Sequence, residues 1–392
     1  MATVNGNIYT EDNEFHYGSV SYENGLITDV SVQGETREGE DMVFPGLVDV
    51  HVHGAGGYDF SDGVSSSIIG MGRYEASHGV TAMLPTTVTL LKDELLDVME
   101  AAHLYTGFWD GVKADQADFL GIHLEGPFLS AAKKGSHNAD YLMYPDLELV
   151  SLLQHGSSNL IRMITLAPEL HGAMDFIKSL KAGNCGSIYG PIIISIGHSM
   201  ADYSVSCEAF SNGVSHVTHI YNAMPGYQGR LPGIIGATID NKDVYVELIA
   251  DGVHHHESVD RNAFEIFGDD RLVLISDSMR ACGLEDGDYD FGGNMIKVST
   301  TTRNGFTIRK AIMADGTIAA SVANLYDVLR HCINDLCVPP QRVIKCATIN
   351  PAKSIGADDK VGSIKVGRQA DILIASPKDY ELKQVILRGN EL

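Results

Sequence analysis

The chain has 392 residues, 44% of them hydrophobic, enough for one large core and a smaller satellite. Its formal charge of −23, from 28 Lys+Arg against 51 Asp+Glu, argues against a nucleic-acid binder, which needs a basic face, but leaves room for a small anionic ligand held by a few local cations. No apolar run nears membrane-spanning length and the first residues carry no secretory signal. The six cysteines (Cys185, Cys207, Cys282, Cys332, Cys337, Cys346) form no CxxC pair, so a cytoplasmic protein with reduced thiols and no membrane partner is expected.

Residues 1–43 read as short strands at 4–9, 15–22 and 26–32, punctuated by Asn5-Gly6, Asn24-Gly25 and Gln33-Gly34. The other end has the same character, with runs at 371–375 and 384–388. Neither end can bury a core alone. Together, 1–43 and 357–392 are expected to form a small β-sandwich, with the chain leaving it near Phe44 and returning near Gly356.

Between them, eight apolar strand-like runs recur: 47–53, 81–87, 119–126, 161–169, 192–199, 216–223, 244–252 and 271–279. Helix-capable stretches such as 92–103 and 203–212 separate most of them. Eight strands alternating with helices imply an α/β fold, a (β/α)8 TIM-type barrel over 44–356 with a parallel sheet. Residues 289–314 read instead as a β-hairpin insertion, with Asn304-Gly305 as its turn.

Polar residues collect at the C-terminal ends of the eight runs, which in such a barrel meet at the catalytic face. In residues 119–128, FLGIHLEGPF, strand alternation puts Phe119, Gly121, His123 and Glu125 on one side. A carboxylate ending an apolar run is costly unless something cationic receives it, and no basic residue follows until Lys133. Glu125 is therefore either a metal ligand or a hydrogen-bonded buried or capping acid. His51 and His53, two apart, point the same way and could share an ion. His198 and His219 end two further runs. Singly each is an ordinary core histidine. Four histidines and a glutamate at the ends of four strands make a mixed N/O set suited to zinc or ferrous iron. Asp277 ends the eighth run, either as a helix cap or as a general base beside an activated water. Arg230, on a Gly/Pro-rich loop after His219, is a candidate phosphate fork or a solvated surface charge. Lys133 and Lys134 read as loop charges, and His255 and His256 have no assignable role.

The motifs FPGLVDVHVHG (44–54), HLEGPF (123–128), KGSHN (134–138), APE (167–169), GHS (197–199), THIYNAM (218–224), ADGVH (250–254) and Ser276-Asp277 resemble, in order, those of N-acetylglucosamine-6-phosphate deacetylases of the amidohydrolase superfamily. The resemblance implies Glu125, His198 and His219 as main metal ligands, with His51 and His53 for a second ion beside Asp277. It implies Asp277 as catalytic acid/base and His137 as the group polarising the acetamide. Substrate contacts would come from Ser136, His137, Asn222, Ala223, Asp251 and the segment Ile318, Ala319, Ala320. Arg230 and His254 would take the 6-phosphate, Arg230 reaching across a homodimer interface. Where the family usually has Gly-Ser, this chain has Ala319-Ala320-Ser321. The expected reaction is hydrolysis of the acetamide of N-acetylglucosamine 6-phosphate to acetate and glucosamine 6-phosphate. Its competitors are another superfamily hydrolase acting on a different amide or N-acyl sugar, and a catalytically silent metal-binding barrel.

Overall fold

The computed structural model describes residues 1–108, 113–303 and 306–392. Strands from both chain ends lie in one seven-stranded sheet, in the order 390–391, 382–387, 372–375, 42–45, 2–9, 15–23, 26–35. Met42–Pro45 is its splice, running parallel to Ala2–Tyr9 and antiparallel to Ile372–Ala375. Asn24-Gly25 makes the expected two-residue hairpin, both residues at positive φ as such turns require. The other two Gly pairs lie inside strands. Gly6 sits in Ala2–Tyr9, where an added Cβ would stand 2.6 Å from the Asp41 carbonyl. Gly34 continues Leu26–Glu35 past a register shift.

All eight internal runs contain strands. Leu47–Val52, Val80–Pro85 and Asp118–Phe119 pair in parallel. Ile122–Glu125, Ile161–Leu166, Ile193–Ile196, His216–Val217, Tyr245–Leu248 and Leu272–Leu274 form a second parallel set. A parallel bridge between Thr86 and His123 joins the two sets. At the far side, the Asp277 N–H donates to the His51 carbonyl and the His53 N–H to the Ser278 carbonyl, linking the last run to the first. A helix follows each run, from Ser65–Ser77 to Leu325–Asn334. Several have clear start signals: Asp146, Asp202 and Asn324 accept from first-turn N–H groups.

The third run breaks at Gly121, whose φ is 117°. Strict alternation therefore fails. Phe119 packs with Phe60 and Tyr105, Leu120 joins Val48, Val50, Ala82 and Met163, and alternation resumes at His123 and Glu125. The insertion after the eighth run is a three-stranded antiparallel sheet (Gly287–Phe291, Asn294–Arg303, Phe306–Ile312) rather than one hairpin. Gly292-Gly293 forms its first turn, and the Asn304-Gly305 turn lies outside the described residues.

Candidate active site

The run ends converge on a cavity of about 270 Å³ lined by His53, Glu125, Ser136, His137, His198, His219, Asn222, Ala223, His254, Asp277, Phe291, Ile318 and Ala319. His198, His219 and Asp277 end their runs at positive φ (47°, 31° and 48°), uncommon for non-glycine residues and typical of functional sites. His51 lies directly behind, fully buried.

Glu125 is the hub. Its Oε1 stands 3.3 Å from His198 Nε2 and 3.1 Å from His219 Nε2. Its Oε2 stands 3.5, 3.3 and 3.4 Å from Nε2 of His51, His53 and His137. Asp277 Oδ1 lies 3.1 Å from His53 Nε2 and 3.5 Å from His51 Nε2.

The far nitrogens decide what the near ones can do. His51 Nδ1 donates to Glu247 (2.9 Å), His53 Nδ1 to the Thr86 carbonyl (3.2 Å) and His198 Nδ1 to the Lys133 carbonyl (2.8 Å). These partners only accept, so in the neutral imidazoles each Nε2 presents a lone pair to the cavity. His198 and His219 Nε2 atoms are 3.0 Å apart, and those of His51 and His53 3.3 Å. Lone pairs converging on a buried carboxylate fit a divalent cation, as zinc-type sites require. Among the described residues three buried triplets could hold an ion, Glu125, His198, His219 and His51, His53, Asp277 at the cavity and His51, His123, Glu247 behind it, and in the last His51 Nδ1 already donates to Glu247. His137 is wired the opposite way. The Thr89 N–H donates to its Nδ1 (3.1 Å), so its neutral ring carries the hydrogen on Nε2, aimed into the cavity.

The charges follow. Burial alone would raise the Glu125 carboxyl, but His51 and His198 hold it well below the usual range. Asp277 is likewise pulled down against burial by His51 and His53. Burial disfavours the His53 cation, yet Asp277 and Glu125 lift it to about 9, so metal entry there displaces a proton. Burial and the charge of His198 push His137 down to about 4, keeping it neutral.

The remaining residues are placed as follows. Ser136 donates its hydroxyl to the Ala319 carbonyl (2.9 Å), pinning the cavity wall. The Asp251 carboxylate faces His254 Nδ1 (3.0 Å) and Ser321 Oγ (2.8 Å), so it orients His254. Ala320 is buried beside the lining. Arg230 is exposed in a tight turn between Gln228 and Leu231, outside the cavity lining. Lys134 Nζ donates to the Gly135 and His137 carbonyls, closing the loop under His137.

Sequence reasoning passed over Glu247, which binds His51 and also accepts from the His219 N–H (3.2 Å). Its signal was present: an acid inside an apolar run, as for Glu125. It also missed Thr89, and Phe291, whose ring stacks edgewise on His53 at 5.1 Å. A backbone turn brings Phe291 in, and no local pattern announces it.

Residues 42–392 match the amidohydrolase family, and the chain belongs to it. Within it, the N-acetylglucosamine-6-phosphate deacetylase of Bacillus subtilis (strain 168) is 34% identical over 394 residues, 98% of this chain and 94% of the relative. The N-acetylgalactosamine-6-phosphate deacetylase of Escherichia coli O157:H7 is 31% identical over 356 residues, 90% of this chain and 88% of the relative. A point mutant of the Mycobacterium smegmatis N-acetyl-D-glucosamine-6-phosphate deacetylase, solved in complex with N-acetyl-D-glucosamine-6-phosphate, superimposes with a TM-score of 0.86 at 27% identity, covering 99% of this chain and 98% of that one.

Proposed function

We propose that this protein hydrolyses the acetamide of N-acetyl-D-glucosamine 6-phosphate to D-glucosamine 6-phosphate and acetate. The observation that carries the reading is the opposed wiring of the histidines: lone pairs from His51, His53 and His198 toward Glu125, and a hydrogen from His137 into the same cavity. Divalent ions, zinc or iron, would be held by Glu125, His198 and His219, with His51, His53 and Asp277 as a second set. They would supply Lewis-acid chemistry, lowering the pKa of water and polarising a carbonyl.

The chain's own groups then have distinct tasks. His137 donates from Nε2 to the acetyl oxygen as the carbon turns tetrahedral. Asp277 takes the proton of the attacking water and passes it to the amide nitrogen as the C–N bond breaks. His254, held through Nδ1 by Asp251, turns Nε2 toward the cavity to meet the 6-phosphate. Asn222 and the Ala223 backbone contact the sugar phosphate, while Ile318 and Ala319 wall the ring. Arg230 is exposed on its own protomer, beside exposed Tyr227 and Leu231, which supports its service to a second copy in a homodimer.

The eight parallel runs, with their first-to-last backbone bonds, support a closed (β/α)8 barrel over 44–356. The shared terminal sheet supports a separate small β-sandwich of 1–43 with 357–392. A cytoplasmic location accords with the six free cysteines. Among the described residues no helix is long and apolar enough to cross a membrane.

The test is acetate release from N-acetylglucosamine 6-phosphate, N-acetylgalactosamine 6-phosphate and unphosphorylated N-acetylglucosamine, in wild type and Arg230→Ala. Preference for the phosphorylated glucosamine that collapses in the variant supports reaction and phosphate fork together. Preference for the galactosamine epimer transfers the same chemistry to the other sugar. No release from any of the three, with metal bound, rejects the deacetylase reading.

A further inference from the structure

We infer that Asp260, His255 and Asn222 form a relay in which the His255 imidazole fixes the orientation of the Asn222 carboxamide for substrate. It rests on the proposed reading of Asn222 as a substrate contact.

Asp260 lies in the first turn of the helix Glu257–Phe267 and is fully buried. A buried carboxylate is costly unless it is paired and hydrogen-bonded. It does not cap the helix, because the His256 side chain does so by accepting from the Ser258 N–H. Among the described residues its ion-pair partner is His255, with Nδ1 2.8 Å from Oδ1, while Oδ2 has no hydrogen-bond partner. The acid is therefore accounted for by what it does to His255.

A carboxylate accepts, so His255 Nδ1 carries a hydrogen and the neutral ring keeps its lone pair on Nε2. That atom faces Asn222 Nδ2 at 3.0 Å. Tyr221 packs edgewise on the His255 ring at 5.5 Å and 85°, and Tyr221 and Ala223 hold positive φ on either side of Asn222. The backbone at Asn222 is thus tied down, and the remaining freedom is which end of its amide faces the cavity. The imidazole removes it. With Nδ2–H donated to Nε2, Asn222 offers its oxygen and one N–H to substrate. A flipped amide would set oxygen against the imidazole lone pair. Three consecutive histidines thus have three jobs: His254 faces the cavity on Asp251, His255 orients Asn222 from Asp260, and His256 caps a helix.

His255 and Asp260 are positioning residues, and the test must separate that role from packing. His255→Phe keeps a ring and removes both nitrogens. His255→Gln keeps a donor for Asp260 and an acceptor for Asn222 on one amide. His255→Phe should raise KM about tenfold with kcat within about twofold, and His255→Gln should recover most of the loss. The double variant with Asn222→Ala should be no worse than Asn222→Ala alone, as for residues acting through one contact. Unchanged KM in His255→Phe, or losses that add in the double variant, would overturn the relay. A second arm needs no turnover. Crystal structures of wild type and His255→Phe should show the Asn222 carboxamide ordered in the first and displaced or split in the second, and an unmoved carboxamide also overturns the relay. Wild type without acetate release rejects the deacetylase reading alone, and the crystallographic arm then decides the relay.

Discussion

Glu125 brings one carboxylate within 3.5 Å of five imidazole nitrogens, and in His51, His53, His137 and His198 the role of that nitrogen is set by a partner at the other end of the ring. Glu247 is such a partner. Glu247→Gln removes the charge that holds His51 Nδ1–H while keeping the shape. Metal retention should weaken about 10- to 100-fold, the usual cost of losing a group that orients a ligand. Competition against a chelator reads it, and far-UV circular dichroism should not change. Asp277 carries the proton in the proposed reaction. Asp277→Asn should lower kcat by at least about 100-fold while the metal at Glu125, His198 and His219 is retained. Turnover within a few-fold of wild type would remove Asp277 from the mechanism.

At the scale of elements, the ligands depend on strands being held at fixed spacing beneath them. A buried polar chain ties four runs together: His123 Nε2 to Thr165 Oγ1 (2.7 Å), Thr165 to Thr218 (2.7 Å) and Thr218 to Ser195 (2.5 Å). Gly197, next to His198, sits against it. A Cβ there would stand 2.6 Å from Thr165 Cγ2 and 2.8 Å from Thr218 Cβ. Gly197→Ala should therefore cost about 1–3 kcal/mol and loosen the site. Urea unfolding would show the lower midpoint, and metal titration the weaker binding. An unchanged midpoint would mean the strands can part without penalty.

At the scale of the molecule, the terminal sheet meets the parallel strands through charged contacts around Asp118 and Asp371. Asp118 pairs with Arg388 and Lys360, and the Asp371 carbonyl accepts from the Gly46 N–H where the chain enters its first internal run. Burial, with Asp118 nearby, pushes the Asp371 carboxyl up to about 6. An acid whose folded pKa is raised binds more protons folded than unfolded, so its contribution favours the fold at low pH. That contribution is lost as pH rises from roughly 4, the unfolded value, to 6. Asp371→Asn holds the neutral state and keeps an acceptor for the Arg388 N–H. Its stability relative to wild type should improve by on the order of 2 kcal/mol between pH 4 and pH 6, then stay level. Thermal midpoints of both proteins across that range test it, and parallel curves would contradict it.

Local pattern was sufficient for the eight runs, the helices between them and the residue types at the run ends, because burial on both faces leaves an apolar run and catalysis leaves a polar residue where it stops. Asn24-Gly25 was equally legible, since two positive φ angles demand such a pair. The same logic misread Gly6 and Gly34, where glycine lies within a strand, and Phe119, where Gly121 resets alternation. Sequence by itself singled out His51, His53, Glu125, His198, His219 and Asp277 as candidate ligands, and these lie together as two of the triplets able to hold an ion. Only the tertiary structure decided which imidazole nitrogen points inward. That choice depends on Glu247, Thr86, Thr89 and the Lys133 carbonyl, partners between 33 and 196 residues away along the chain, and a hydrogen bond across such separations leaves no periodicity to read.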